Sequence, residues 1–234
     1  MATTVLEPAP VLAEKSSHPF PNDSPEYRRA RTALLAEEIA LRRQIERVAA
    51  QRRALPPGGV VRLDYAFVGE DGAPTRLSAM FGNHDTLIVY FWMFGPERPR
   101  PCPMCTSLLG GFDGPARDLT QRAALAIIGR SPIERQLAFK AERGWQNLKF
   151  FATTDDDFVR DYHGFGPDGS EWPILAVFTR RDGEIRLFWC AEMGGESADP
   201  GQDPRGAPDP VVLWTLLDLT PAGRGTDWHP SLDY

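Results

Sequence analysis

Leu87-Ile88-Val89-Tyr90-Phe91-Trp92 runs through a short loop into Cys102-Pro103-Met104-Cys105, and the reading of this stretch decides the fold. The apolar run has the length and the β-branched and aromatic content of a buried strand. The two cysteines, three positions apart, put both sulfurs on one side of a helix's first turn, close enough to form a disulfide. A strand followed by such a pair reads as redox chemistry before anything else.

The spacing also orders the two thiols. With Cys102 at the N-cap, Pro103 is the first helical residue, where its missing N–H costs no hydrogen bond. The Cys102 sulfur then faces free backbone N–H groups and the positive end of the helix dipole. Both favour thiolate over thiol and lower a pKa that is otherwise about 8.5. Cys102 is the expected nucleophile. Cys105, one turn into the helix and more covered, is the expected resolving thiol that attacks a mixed disulfide. The competing readings are a chance pair and a structural zinc site. Zinc needs two further ligands, and His84, His163, His229 and Cys190 show no ligand-like spacing, so no metal is expected.

The bulk composition fits this picture. At 234 residues and 42% hydrophobic, the chain can bury one α/β domain with terminal additions. A net charge of -6 argues against a nucleic-acid partner. No apolar run reaches the roughly 18 residues that a membrane-spanning helix needs. Residues 1–8 have neither a basic start nor an apolar core, so no signal peptide is expected and the cytoplasm is the expected location. Three cysteines do not make a disulfide framework in a chain of this length. No cofactor is implied, and the expected partner is a protein or small-molecule thiol or disulfide.

Residues 1–23, rich in proline, serine and alanine, read as a flexible or draped arm. Residues 24–57 read as an amphipathic helix: Ser24 caps, Pro25 takes the first helical position, and Glu26 suits the dipole. Leu34, Leu35, Ile39, Leu41, Ile45 and Val48 recur at helical spacing until Leu55-Pro56-Pro57-Gly58-Gly59. That stripe is suited to packing on the domain or on a second copy of the chain. The helix's arginines interleave with Glu37, Glu38 and Glu46, which fits a solvated face.

Residues 58–234 alternate strands and helices. Strands are expected at Leu63–Val68, Leu87–Phe94, Ala123–Gly129, Leu148–Thr153, Ile174–Thr179 and Glu184–Cys190, the last two joined by a tight turn at Arg180-Arg181-Asp182-Gly183. Ser131-Pro132-Ile133-Glu134 reads as a capping box opening a helix that ends near Gly144. A short helix is expected from Asp155. Gly194–Pro210 reads as an extended loop, and Val211–Leu217 as a last helix. This order predicts an α/β sandwich with a mixed central sheet. Before the hairpin, Trp172-Pro173 sets a proline immediately ahead of a strand, with a candidate cis bond; the alternative is an ordinary edge-strand proline. Arg130, at the end of a central strand, is the candidate cation beside the dithiol, the alternative being an exposed arginine. Cys190, between aromatic residues, reads as an inert hydrophobe.

The run Leu87–Trp92, the Cys102–Cys105 motif and Trp172-Pro173 before a hairpin together resemble the thioredoxin superfamily. Phe94-Gly95-Pro96, Gly111-Phe112-Asp113-Gly114, Ser131-Pro132, Phe139-Lys140, Gly144-Trp145, Leu217-Asp218-Leu219-Thr220-Pro221 and Gly223-Arg224-Gly225 are similar to the bacterial thioredoxin-like proteins grouped as domain of unknown function family 899. The resemblance implies a thioredoxin-like sandwich in which a proline loop, here Trp172-Pro173, packs against the dithiol and offers backbone to an extended substrate. It implies a thiol–disulfide oxidoreductase of unstated substrate. The alternatives are a peroxiredoxin-like hydroperoxide reductase and a non-enzymatic redox sensor or soft-metal binder. Two departures matter. Peroxiredoxins place a threonine three residues before the reactive cysteine, and Pro99 stands there. The buried acid that relays protons in thioredoxins falls near Tyr90.

Overall fold

Along β3 (Thr86–Phe91) successive side chains alternate between two apolar layers, as the period of two in an extended strand requires. Leu87, Val89 and Phe91 enter one layer; Tyr90, and Trp92 just past the strand, enter the other. The neighbouring β4 (Ala124–Gly129), buried at every position, splits the same way, with Ala124, Ala126 and Ile128 opposite Leu125 and Ile127. A computed structural model gives this fold for residues 6–191 and 232.

Five further strands are β1 (Ala66–Val68), β2 (Pro74–Arg76), β5 (Phe150–Thr153), β6 (Ile174–Arg181) and β7 (Glu184–Cys190). Among the described residues, the seven strands form one mixed sheet in the order β2-β1-β5-β4-β3-β6-β7. β3, β4 and β5 are parallel neighbours, linked by crossovers through α4 (Pro103–Asp113) and α6 (Ile133–Glu142). β6 runs antiparallel to β3, and β7 antiparallel to β6. The order β4-β3-β6-β7 with this polarity is the mixed core expected of a thioredoxin-like sandwich. Cys105, Leu108 and Leu109 of α4, Phe139 of α6, and Ala116 of the short α5 (Ala116–Leu119) cover one face. Leu77 of α3 (Leu77–Met80) and Phe158 and Val159 of α7 (Asp157–Asp161) cover the other. The hairpin turn forms at Asp182-Gly183, both at positive φ, as a tight two-residue connection demands.

The chain divides into two units, Met1–Pro56 and Pro57–Tyr234. In the first, α2 (Pro25–Arg53) begins as expected, Ser24 Oγ accepting from the Tyr27 N–H at 3.0 Å. The arm is not without regular structure: Ala9–Ser16 forms α1, which buries Ala13 against Ala36 and Ile39 of α2. An alanine surface that small gives only a faint periodic signal in sequence.

Other local expectations are corrected. The first strand shortens to Ala66–Val68, and the polar three-residue β2 pairs with it unforeseen. The capping box at Ser131 does not form. Pro132 is the N-cap, and the fully buried Ser131 hydroxyl donates instead to the Gly95 carbonyl at 3.1 Å. A tertiary partner outcompetes the local cap. The loop and helix expected over 194–217 lie outside the described residues.

Phe91 is wholly buried at the centre of the sheet. Phe91→Ala is expected to lower unfolding free energy by about 3–5 kcal/mol, read from the urea midpoint at unchanged slope.

Candidate active site

β3 ends at Phe91, and the chain turns through Trp92–Pro101 before α4 begins. Each backbone turn of this loop has a specific holder. The Cys102 N–H donates to the Met93 carbonyl at 3.0 Å, and Ser131 N–H donates to the Phe94 carbonyl at 2.8 Å. The Arg135 guanidinium donates to the carbonyls of Pro96 and Arg98 at 3.0 and 2.6 Å. Gly95 N–H donates to Glu171 Oε2 at 2.9 Å. A Cβ on Gly95 would lie 2.5 Å from Glu171 Oε1, so only glycine permits this approach.

Cys102 is the N-cap of α4 and Pro103 its first residue. Both thiols are free; Cys102 is half-buried and Cys105 buried. The Cys102 pKa is pulled down to about 6, chiefly because the Cys105 thiol donates to its sulfur, against the cost of burial. The N–H groups of Cys105 and Met104 and the positive charge of Arg98 assist. Cys105 moves the other way: its proton is held by the hydrogen bond to Cys102 and by burial. The arrangement can present one nucleophilic thiolate with a protonated thiol directly behind it.

Glu171 organises the charges around this pair. Its side chain is only 6% exposed, and it ion-pairs with Arg98 Nε at 3.2 Å and Arg130 Nη1 at 3.4 Å. Arg130 also pairs with Asp156 at 2.7 Å and lies over the Phe165 ring at 4.9 Å. Arg130 is therefore not a solvated arginine: it is held by Asp156 and shares Glu171 with Arg98, whose charge helps to lower the Cys102 pKa. Arg98 sits on the loop that leads into Cys102.

Trp172 and Pro173 precede β6, whose first residue Ile174 pairs with Phe91. This register brings them to the same end of the sheet as the start of α4. The peptide bonds of the described residues are all trans, Trp172–Pro173 included. Cys190 is half-buried on β7, apart from the dithiol in the opposite apolar layer. Among the described residues, no group of three or more His, Cys, Asp or Glu side chains is placed to hold a metal ion. No helix among them is long and apolar enough to cross a membrane.

Arg98 and Glu171 escape sequence reasoning. The one available signal is Glu171 itself, an acid set directly before an apolar strand.

A family model described as a bacterial protein of unknown function (DUF899) matches residues 17–234, and the chain belongs to that family. None of the curated proteins matches the chain. Among solved structures it is similar to the exposed lipoprotein thioredoxin Etrx1 of Streptococcus pneumoniae, at 17% identity and TM-score 0.40, over 55% of this chain and 87% of that one. It is also similar to the peroxidoxin BcpB of Mycobacterium tuberculosis, at 19% identity and TM-score 0.43, over 57% and 82%. A third similar structure is PrxQ of Xylella fastidiosa, at 12% identity and TM-score 0.45, over 58% and 84%.

On the reduced protein, iodoacetamide alkylation of Cys102 is expected to rise through an inflection at about pH 6 and level off above it. Thiolate is the reacting form, so lowering the pH through this value suppresses the rate. Arg98→Ala is expected to move the inflection upward; an unchanged inflection would remove Arg98 from the site.

Proposed function

We propose that the chain is a dithiol–disulfide oxidoreductase in which Cys102 attacks and Cys105 resolves. The observation that carries this reading is the opposed tuning of two adjacent thiols at one helix start: Cys102 biased to thiolate, Cys105 buried and protonated. In the reductive direction, the Cys102 thiolate attacks one sulfur of a partner disulfide and expels the other as a thiolate. Cys105 then attacks the Cys102 sulfur, the partner's second sulfur leaves as a thiol, and Cys102 and Cys105 end as a disulfide. The reverse sequence oxidises a dithiol partner.

Trp172 and Pro173 are the proposed wall against which an extended partner lies, supported by their position at the active end of the sheet. Arg130 is proposed to serve the partner-binding side indirectly, by sharing Glu171 with Arg98. The partner is a protein or small-molecule thiol or disulfide, with the cytoplasm as the proposed location because a reducing compartment returns such a pair to its working form.

Equilibration with glutathione buffers, followed by peptide mapping, tests the reading. The expected result is a reversible Cys102–Cys105 disulfide. Cys102→Ser should abolish exchange, while Cys105→Ser should accumulate glutathione on Cys102. Persistent free thiols across the whole redox range would overturn the assignment.

One observation favours a second reading. Arg98 beside a lowered cysteine pKa also suits attack on a hydroperoxide, giving a sulfenate at Cys102 that Cys105 condenses to a disulfide with loss of water. Rapid peroxide consumption with a thiol reductant would favour it, although Pro99 stands where peroxiredoxins orient peroxide with threonine.

A second copy of the chain is a further proposed partner. Leu34, Leu41, Ile45 and Val48 are exposed on α2 and support pairing through that helix. Sedimentation at micromolar concentration is expected to give a dimer, and a monomer would overturn the pairing.

A further inference from the structure

The buried group that the dithiol leaves unexplained is Tyr90. It is 2% exposed, on the strand that leads into the active loop, in the same apolar cluster as Cys105. Its ring packs edge-on against Phe112 of α4 at 6.0 Å, and its hydroxyl is hydrogen-bonded to the Cys105 sulfur. A phenol placed in an apolar layer needs a polar partner, and here that partner is the resolving thiol.

We propose that Tyr90 is a catalytic residue of the resolving step, donating its hydroxyl hydrogen bond to the Cys105 sulfur as negative charge develops there. This inference rests on the dithiol reading above. In the reduced protein the groups form a chain: Tyr90 O–H donates to Cys105 sulfur, and the Cys105 S–H donates to the Cys102 thiolate. Once Cys102 is tied up in a mixed disulfide, Cys105 loses that acceptor.

To resolve the bond, Cys105 sulfur attacks Cys102 sulfur, the Cys102–partner bond breaks, and the departing partner sulfur takes an electron pair. The proton given up by Cys105 is, in the balance, carried off on that partner thiol. Tyr90 keeps its own proton throughout, since burial and the neighbouring cysteines hold it well above the ordinary phenol range. It therefore serves as a fixed donor rather than a base, held within a buried apolar layer. An acid at this position would accept the Cys105 proton; a tyrosine instead stabilises the sulfur that loses it.

The probe is dithiobis(nitrobenzoic acid) mixed rapidly with the reduced full-length protein, Cys190→Ser throughout so that only the dithiol releases thionitrobenzoate. The first thionitrobenzoate equivalent reports attack by Cys102, and the second reports its displacement by Cys105. Tyr90→Phe keeps the ring and removes the hydroxyl. It is expected to leave the first phase within about twofold and to slow the second roughly tenfold to a hundredfold, the worth of one hydrogen bond to a charged group. Tyr90→Leu, which keeps apolar bulk without a hydroxyl, is expected to give the same split and stands in if the phenylalanine variant does not fold. Equal second phases with and without the Tyr90 substitution would overturn the role of Tyr90 alone, as would a uniform slowing of both phases. Failure of the protein that keeps Tyr90 to release a second equivalent would overturn the dithiol reading together with it.

Discussion

The pleat of β3 is the constraint on which the rest depends. Because side chains along an extended chain alternate, Leu87, Val89 and Phe91 close one apolar layer while Tyr90 and Trp92 enter the other. A slip of one residue would exchange the two sets and leave the layer under α4 without Tyr90. The strand also fixes where α4 starts. Its end ties Met93 to the Cys102 N–H, which puts Cys102 at the cap with Cys105 facing inward over Tyr90.

Glu171 supplies the second constraint, an electrostatic one. A carboxylate with so little access to water is costly unless its oxygens are matched by donors. Gly95 N–H, Arg98 and Arg130 supply them, and Arg130 is in turn balanced by Asp156. The network joins the active loop to the end of β4 and the approach to β6. Because the arginines reach solvent, its value lies less in net stability than in holding a cation beside Cys102. The sequence run Glu171-Trp172-Pro173 draws attention to its proline, yet the acid beside it holds the loop, through Gly95 N–H and Arg98.

Much of the architecture was legible. The central strands, α2 with its Ser24 cap, and the Asp182-Gly183 hairpin follow from local rules of periodicity, capping and turn chemistry. The misreadings share one cause, competition from distant partners. Ser131 looked like a cap and instead bonds Gly95. Pro74-Thr75-Arg76 carries no strand pattern of its own and is held as a strand by pairing with β1. Arg130 was placed correctly at a strand end, but its direction was set by Asp156, which no spacing in the chain announces.

By itself the sequence determined that a buried strand precedes a dithiol and that Cys102, followed by Pro103, takes the outer position. These depend on neighbours within one turn or one pleat, where spacing and a fixed proline φ suffice. Only the tertiary structure decided what surrounds the sulfurs. Glu171 meets Gly95 across 76 positions, and Tyr90 meets Cys105 only because α4 folds back over β3. Such encounters are set by strand order and layer packing, which bring together residues whose separation along the chain carries no periodic signal.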